Sequence, residues 1–196
     1  MAKGLETRDN IIRKAAVIFN KKGFYGSSMS DIMQSTGLEK GGIYRHFKSK
    51  DEIALEAFDY SSDVLRQAYR SAAHQAQTAE GKLLAVLSVY AGRGQAPPLE
   101  GGCPLLNTAI DSDDTHPLLK QKAREAMEEW LQFLNRIITE GIRAGEFRKD
   151  LQIEQICVFL TSAFEGNIMM QQLFNNDQYA ELYVEQLKAY IHNCMK

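Results

Sequence analysis

Apolar residues recur every three or four positions along most of this chain, which is the period of an amphipathic α-helix. The first such run predicts a helix over residues 5–22, with Ile12, Ala15 and Phe19 on its buried face. Two lysines and a glycine at 21–23 end the run, as expected where a helix stops. No strand-like alternation and no internal repeat interrupts the pattern, so it predicts an all-α fold.

Residues 28–47 contain two short predicted helices joined by a turn at Gly37. Ser28 and Asp31 have the spacing of a capping box, with Asp in the place usually taken by Glu or Gln. The second helix begins near Lys40, and its outward face combines cationic and aromatic side chains with two glycines. A packed core needs no such face, whereas the major groove of DNA accommodates one.

Six further helices are predicted, at residues 49–75, 78–93, 103–110, 117–144, 153–174 and 177–193. Ser49 and Glu52 form a second capping box at the start of the first of these, and Thr115 is expected to cap the fourth. The glycine- and proline-rich segment 92–104 is expected to be a loop. In the fourth helix, apolar residues alternate at spacings of four and three up to Gly141, which predicts close packing against other helices.

The predicted helix over residues 153–174 is apolar on nearly every side, and the last one, over residues 177–193, repeats apolar residues at helical spacing. A helix that is apolar all round must be buried all round. At the end of a short chain, a partner chain buries such a helix more easily than internal packing does. Because two-fold homodimers are the commonest oligomers, we expect a homodimer that forms through residues 153–174 and 177–193.

The formal net charge of −2 conceals an uneven distribution. Residues 1–50 contain ten Lys or Arg and four Asp or Glu, giving +6, whereas residues 51–196 contain thirteen and twenty-one, giving −8. A basic head on an acidic body indicates that only the head meets a polyanion. The alternative interpretation is a chance fluctuation in solvated surface charge.

Composition and cysteine usage indicate an ordinary globular protein, with 44% hydrophobic and 24% charged residues. No apolar run reaches the roughly 20 residues of a membrane span, and the N-terminus lacks the apolar centre of a signal peptide. Cys103, Cys157 and Cys194 match no zinc-site spacing and suit a reducing compartment. We therefore expect a cytoplasmic protein without membrane attachment, metal or cofactor.

An ordered series of short motifs, correctly spaced, runs through the first fifty residues. It comprises Phe19, Gly23–Phe24, Ser27–Ser28–Met29, Asp31–Ile32, Thr36–Gly37–Leu38, Lys40–Gly41, Ile43–Tyr44, His46–Phe47 and Lys48–Ser49–Lys50. This series resembles the TetR family of bacterial transcriptional repressors, and beyond residue 53 the likeness is one of architecture only. The resemblance implies a helix-turn-helix DNA-binding domain over residues 1–50 and a ligand-binding and dimerisation domain over residues 51–196.

The resemblance also implies a function. By this resemblance, the protein is expected to be a homodimer that binds a roughly palindromic operator in double-stranded DNA. It is expected to leave the operator when a small-molecule effector binds the body. Carried over by position, the DNA-facing residues are Ser28, Lys40, Gly41, Gly42, Tyr44, Arg45, His46, Lys48 and Lys50.

The chemistry of these side chains suits that role. Ser28 at a helix N-terminus can hold a phosphate, and the guanidinium fork of Arg45 matches the N7 and O6 atoms of guanine. The other polar side chains are expected to position the head on the DNA backbone. Two positions depart from the family pattern, since Gly42 stands where Thr, Ser or Ala is frequent and Glu39 where Ser is common.

Candidates for effector binding or sensing are Cys103, Trp130, Phe164 and Met169. The resemblance implies a pocket, which the aromatic and methionine side chains could line for an apolar ligand, although they equally suit core and dimer packing. Cys103 lies at a predicted helix N-terminus, where a thiolate is stabilised. It is therefore either a sensor of oxidants or electrophiles, as in some members of the family, or a buried structural cysteine.

Two further function classes fit the sequence less well. A thiol hydrolase would use Cys103 and His116, but the sequence contains no nucleophile elbow, metal-binding cluster or glycine-rich phosphate loop. A non-specific architectural DNA binder would be basic throughout, whereas this body is acidic. The sequence thus favours a DNA-binding transcriptional regulator without enzymatic activity.

Overall fold

The computed structural model describes residues 2–91 and 96–196. Over these ranges the secondary structure is helical without strands, which confirms the predicted all-α class. The helices are α1 (Ala2–Lys22), α2 (Met29–Thr36), α3 (Lys40–Tyr44), α4 (Lys50–His74), α5 (Ala79–Leu87), α6 (Pro104–Asp111), α7 (Pro117–Ala144), α8 (Ile153–Phe174) and α9 (Gln178–Tyr190), followed by a π-helical turn at Ile191–Met195.

The chain forms two compact units. Unit 1 comprises Met1–Val64 and Leu99–Ala126, and unit 2 comprises Leu65–Pro98 and Met127–Lys196. Unit 1 therefore contains α6 and the beginning of α7 in addition to the helix-turn-helix. The expected domain boundary at residue 50 stays a prediction, and the compact units divide the chain in a different, discontinuous way.

The core of the head is a single cluster to which α1, α2, α3 and α4 each contribute. Its fully buried members include Ile11 on α1, Ile32 on α2, Ile43 on α3 and Ile53 on α4, with Phe47 after α3. Burying one such side chain contributes about 1.5–3 kcal/mol of transfer free energy. The short helices α2 and α3 are therefore stabilised by tertiary packing, since helices of this length are marginal in isolation.

Local signals set the ends of α2 as predicted. The Ser28 hydroxyl accepts the Asp31 N–H at 3.1 Å, and the Asp31 carboxylate accepts the Ser28 N–H at 2.7 Å, which confirms the capping box. Gly37 ends the helix at φ +70° and donates its N–H to the Met33 carbonyl at 2.9 Å. This left-handed conformation is open to glycine without steric cost.

The start of α7 differs from the prediction. The Thr115 hydroxyl donates to the Asp111 carbonyl at 2.7 Å, whereas the imidazole Nδ1 of His116 accepts the Leu119 N–H at 3.2 Å. Because Pro117 takes the first helical position, residue 116 becomes the N-cap. The expectation that Thr115 caps this helix was wrong.

The connection after α5 is described only in part. The α-helix ends at Leu87, before the end at residue 93 that the pattern predicted. Residues 92 and 93 of that predicted helix, and 92–95 of the predicted loop, lie outside the described ranges. From residue 96 to 103 the chain is non-helical, in agreement with the predicted loop.

In unit 2, α7 is closely packed, as the spacing of its apolar residues predicted. Trp130, Leu134 and Ile137 are buried. A methyl group built on Gly141 would come within 2.4 Å of the Phe147 ring, so glycine permits this close approach.

Among the helices of the described ranges, none is long and apolar enough to cross a membrane.

Candidate nucleic-acid interface

Helix α3 has one side buried in the head core and an opposite side that is exposed and polar. Ile43 is fully buried in the head core, whereas Lys40, Gly41, Tyr44 and Arg45 are exposed. The Lys40 ammonium lies 5.8 Å from the centre of the Tyr44 ring, so a cation and an aromatic face stand side by side. Helix α3 therefore presents the cationic and aromatic surface that its sequence pattern predicted.

The cations that flank α3 are unpaired within the described chain. Arg45 follows the last helical residue and is exposed, and neither it nor Lys48 forms an ion pair with a described residue. The Lys48 backbone N–H donates to the Glu52 carboxylate at 2.6 Å, which fixes the chain while leaving the ammonium group outside. His46 is half-buried beside them. Both unpaired charges are thus available to a polyanion.

The two glycines of α3 are not required by packing. A methyl group on Gly41 would meet nothing within 4 Å, and one on Gly42 would lie 3.7 Å from Leu38, an ordinary contact. Glycine lowers helix stability by about 0.5–1 kcal/mol relative to alanine. A stabilising substitution is therefore sterically open at both positions, and packing within the described chain does not account for the two glycines.

Ser28 lies at the N-terminus of α2, next to a paired carboxylate. Its hydroxyl is already engaged with Asp31, and the Lys22 ammonium lies 2.5 Å from the other Asp31 oxygen. The hydrogen bond from Lys22, with those from Ser28, holds the pKa of Asp31 well below its ordinary value. Asp31 is therefore anionic at neutral pH, and Lys22 neutralises it beside the expected phosphate position.

Lys50 was expected to face DNA, and the structure directs its ammonium group inward. The Nζ atom donates to the carbonyl oxygens of Phe24 and Ser27 at 2.8 and 3.0 Å. It also lies 4.0 Å from the centre of the Phe24 ring, a cation–π distance. Lys50 therefore holds the turn between α1 and α2, a role that its position in the sequence did not indicate.

A second set of contacts joins the end of α1 to the segment before α6. The Asn20 amide donates to the carbonyls of Glu100 and Gly102 at 2.8 and 3.1 Å. The Asn107 amide donates in turn to the Asn20 side-chain oxygen at 2.9 Å and to the Gly101 carbonyl at 2.8 Å. These amides satisfy the backbone of a loop that would otherwise be buried with unpaired carbonyls.

The end of α6 and the turn that follows it hold the turn between α1 and α2. The Asp111 carboxylate accepts the Phe24 N–H at 2.6 Å and also lies against Gly23, where an added methyl group would be 2.7 Å from Asp111 Oδ1. The Tyr25 hydroxyl donates to the Thr115 carbonyl at 2.7 Å. Gly23 adopts φ +73°, so glycine is needed there for both conformation and space.

His116 completes this connection. Its Nδ1 accepts the Leu119 N–H, so the neutral ring carries its proton on Nε2, which faces Asp51 Oδ1 at 3.2 Å. Its ring lies edge-on to Phe24 with the centres 4.8 Å apart. Both nitrogens of His116 are thus engaged in structural contacts, as a capping and bridging residue and not as a catalytic base.

The four residues expected to bind or sense an effector occupy different environments. Trp130 and Phe164 stack in the core of unit 2 with their ring centres 5.5 Å apart, and Tyr69 lies 4.7 Å from Trp130. Met169 is half exposed on α8. Cys103 belongs to unit 1, where it is the N-cap of α6 and only 1% exposed.

The surface of α8 and α9 is strongly apolar in the single chain. Six large apolar side chains are at least half exposed there: Val158, Phe159, Met169, Leu173, Phe174 and Leu182. Monomeric proteins rarely leave so many on adjacent helices. The prediction of a helix buried on all sides therefore fails for one chain alone, as expected if a second chain covers it.

A small cavity lies in unit 1 among α1, α4, α6 and α7. Its volume is about 30 Å³, and Asn20, Ser61, Thr108 and Asp111 contribute to its wall. That space accommodates about one water molecule. It is too small for an effector.

Comparison with known proteins identifies the family. A model described as "Bacterial regulatory proteins, tetR family" matches residues 11–57, and one described as "Tetracyclin repressor-like, C-terminal domain" matches residues 79–187, over half of the chain. A TetR transcriptional regulator from Chloroflexus aurantiacus is 37% identical in sequence. Its crystal structure aligns with a TM-score of 0.94 over 100% of this chain and 98% of that one.

Two further relatives agree. The HTH-type transcriptional repressor DhaR from Mycobacterium sp. (strain GP1) is 22% identical over 92% of this chain and 91% of that protein. A cysteine mutant of the TetR-family regulator CifR, bound to a 26-base-pair operator, shares the fold with a TM-score of 0.81 at 16% identity, covering 92% of this chain and 94% of that one. This chain belongs to the TetR family of DNA-binding transcriptional regulators and is not an enzyme.

Proposed function

We propose that this protein is a cytoplasmic homodimeric repressor that binds a roughly palindromic operator and releases it when a small-molecule effector binds. The observation that carries the proposal is α3, whose buried Ile43 fixes it on the head core while its outer face is cationic, aromatic and low in profile. Such a helix suits entry into a major groove.

Individual roles follow from the chemistry of each side chain. Arg45 reads a guanine through its bidentate fork. Lys40, Tyr44, His46 and Lys48 position the head on phosphates, which requires no particular base. Gly41 and Gly42 let the α3 backbone approach the bases. Ser28 holds a phosphate through the N-terminus of α2.

The homodimer rests on α8 and α9. Their half-exposed apolar side chains, such as Phe159 and Leu173, make a self-complementary two-fold contact favourable because burial of apolar area drives association. A two-fold dimer carries two copies of α3, which accounts for the palindromic symmetry of the proposed operator.

The test is selection of bound duplexes from a random DNA pool by the full-length protein at fixed salt. A palindromic consensus is expected. On that consensus, Arg45→Ala should relax the preference at one base pair per half-site, at a cost of about 1–3 kcal/mol. Lys48→Ala should instead weaken all duplexes alike and reduce the slope of log K against log salt by about one.

The control is Lys122→Ala, which removes a surface lysine paired with Asp59 and should leave both quantities unchanged. Equal affinity for the selected pool and for random DNA would contradict site-specific binding. Loss of discrimination in Lys48→Ala, with retained discrimination in Arg45→Ala, would reverse the assigned roles.

The alternative in which Cys103 senses oxidants is less favoured by the structure. Its side chain is 1% exposed at the start of α6, whereas redox-sensing thiols are accessible. Burial, with the nearby Glu154 charge, raises the pKa of the Cys157 thiol to about 11, which makes that cysteine unreactive as well.

A further inference from the structure

His116 is a buried imidazole whose hydrogen bonds require the ring to be neutral. Its side chain is only 9% exposed. The Nδ1 atom accepts the Leu119 N–H at 3.2 Å and so caps α7, which only an unprotonated nitrogen can do. The Nε2 atom faces the Asp51 carboxylate at 3.2 Å, where the neutral ring carries its one proton. The two contacts together specify one neutral tautomer.

Protonation of His116 removes one of these contacts and strengthens the other. A proton on Nδ1 points at the Leu119 N–H, so two donors face each other and the cap of α7 is lost. The Asp51 carboxylate, by contrast, attracts the charged ring at Nε2. The imidazolium is therefore drawn toward the start of α4 and away from the first turn of α7.

The Phe24 ring gives the charge of His116 a second consequence. The His116 and Phe24 rings lie edge to face, with their centres 4.8 Å apart. The Lys50 ammonium lies 4.0 Å from the centre of the same Phe24 ring. Protonation of His116 thus places two positive charges against one aromatic side chain, and like charges repel each other.

The other charged and titratable groups on the elements around His116 keep their charge near neutral pH. They are Tyr25 in the turn between α1 and α2, Lys50 and Asp51 on α4, Asp111 at the end of α6, Asp113 and Asp114 in the turn after it, and Lys120 on α7. Aspartate, lysine and tyrosine do not ordinarily titrate between about pH 5.5 and 8, whereas histidine does. A change of charge in this cluster over that range therefore belongs to His116.

Phe24 connects this cluster to the DNA-binding surface. Its N–H donates to Asp111 at 2.6 Å, and its carbonyl accepts the Lys50 ammonium at 2.8 Å. The same ammonium group donates to the Ser27 carbonyl at 3.0 Å, one residue before Ser28, the N-cap of α2. A displacement of the Phe24 ring therefore reaches the helix-turn-helix over a few residues of backbone and these hydrogen bonds.

We propose that His116 is a pH switch, whose neutral ring holds the head in the arrangement that binds the operator. Its protonation in mildly acidic solution releases the turn between α1 and α2 and weakens operator binding. The operator half of this inference rests on the function proposed above. The sign is informative, because protonation of a histidine on the DNA-binding surface, such as His46, adds a phosphate contact and strengthens binding in acid.

The first test is an NMR titration of the full-length protein from about pH 8 to pH 5.5. We expect the amide resonances of Leu119 and Phe24 to shift along the same curve as the His116 imidazole. The hydrogen-exchange protection factor of Leu119 should fall about fivefold over this range, as expected when a helix cap is lost. His116→Asn keeps a capping oxygen without a titrating group, so both amides should then be insensitive to pH.

The second test is operator titration at about pH 7.5 and 5.5, with the duplex that the wild type selects at the higher pH. Wild-type affinity should be about fivefold lower in acid, whereas the affinity of His116→Asn should not fall. Asp51→Asn removes the group that attracts the imidazolium, so it should move the loss of affinity to lower pH. His74→Gln, which changes an exposed histidine at the end of α4, is the matched control and should behave as wild type.

A Leu119 amide that does not follow the His116 titration overturns the switch, whatever happens to DNA binding. Wild-type affinity that does not fall in acid, or a fall that persists in His116→Asn, overturns the role of His116 in operator binding. Failure of the wild type to bind any operator at the higher pH contradicts the proposed function instead. The NMR titration then still decides whether protonation of His116 releases the cap of α7.

Discussion

Single residues in the head differ in whether the stability of the fold accounts for them. Gly41 and Gly42 lie within α3 with room for a methyl group on each, although alanine would make the helix more stable. Asp31 shows the opposite case, because its charge caps α2 and pairs with Lys22. Stability explains the carboxylate, whereas it does not explain the glycines.

Gly42→Ala should therefore stabilise the protein and weaken operator binding. We expect the free energy of unfolding to rise by about 0.5–1 kcal/mol, from the backbone entropy that glycine loses on folding. The affinity for the selected operator should fall because the methyl group would be added to the surface of α3 that is proposed to approach DNA. Urea denaturation and operator titration measure the two effects, and a rise in both would contradict the proposed role of Gly42.

Asp31 makes a pH-dependent contribution whose sign follows from its lowered pKa. The ordinary pKa is 3.8, and the folded value lies below it because Lys22 and Ser28 hydrogen-bond the carboxylate. The stabilisation is therefore complete above the unfolded pKa and is lost as the pH falls through the folded one. Urea denaturation from about pH 7 to pH 3 should show that wild type is more stable than Asp31→Asn by a constant difference above about pH 5, which then shrinks. A difference that grows with acidity would contradict this assignment.

At the scale of elements, the turn between α1 and α2 is held from two sides. Lys50 at the start of α4 donates to its carbonyls, and Asp111 at the end of α6 accepts the Phe24 N–H. This turn leads directly into Ser28 and the helix-turn-helix. A displacement of α6 would therefore be transmitted to the DNA-binding surface through the hydrogen bond between Phe24 and Asp111. A hydrogen bond to a charged group is stronger than one between neutral groups.

Asp111→Ala should loosen that turn. Leaving a charged hydrogen bond unmade costs about 1–3 kcal/mol, so the Phe24 amide should exchange with solvent roughly tenfold faster or more. Hydrogen exchange followed by NMR measures this, together with weaker operator binding. Asp113→Ala, two residues after Asp111 and exposed, is the control. Unchanged exchange at Phe24 would show that Asp111 does not hold the turn.

At the scale of the whole molecule, the apolar surface of α8 and α9 is the surface that we propose to form the dimer. Its residues are exposed in one chain, so polar substitutions there cost little within the protomer and act on association. Leu173 is the clearest probe, since it is 70% exposed, and Ile110 on α6 is equally exposed and serves as its control.

Leu173→Glu should dissociate the proposed dimer, because a carboxylate on each chain would be buried in the interface without a partner. We expect the dimer dissociation constant to rise by roughly tenfold or more, about 1.4 kcal/mol, and operator affinity to fall with it. Sedimentation equilibrium measures the first quantity. A monomeric wild type, or dissociation by Ile110→Glu alone, would place the interface elsewhere.

The sequence by itself determined the helices and the family. The bounds of α2, α4, α7 and α8 were predicted to within a residue or two, because caps, glycines and apolar spacing act within a few residues of the chain. Helix α3 ends at Tyr44, before Phe47, which the pattern had placed on its inner side. The capping box at Ser28 and the outward face of α3 were recognised for the same reason. The helix-turn-helix surface was therefore predictable before any tertiary contact was known.

Only the tertiary structure decided which polar groups meet across the chain. Phe24 and Asp111 are 87 residues apart, and no periodic pattern predicts that pairing. The inward direction of Lys50 and the capping role of His116 have the same origin. The sequence determines which hydrogen bonds a side chain can make. Its actual partner depends on which distant segments pack beside it.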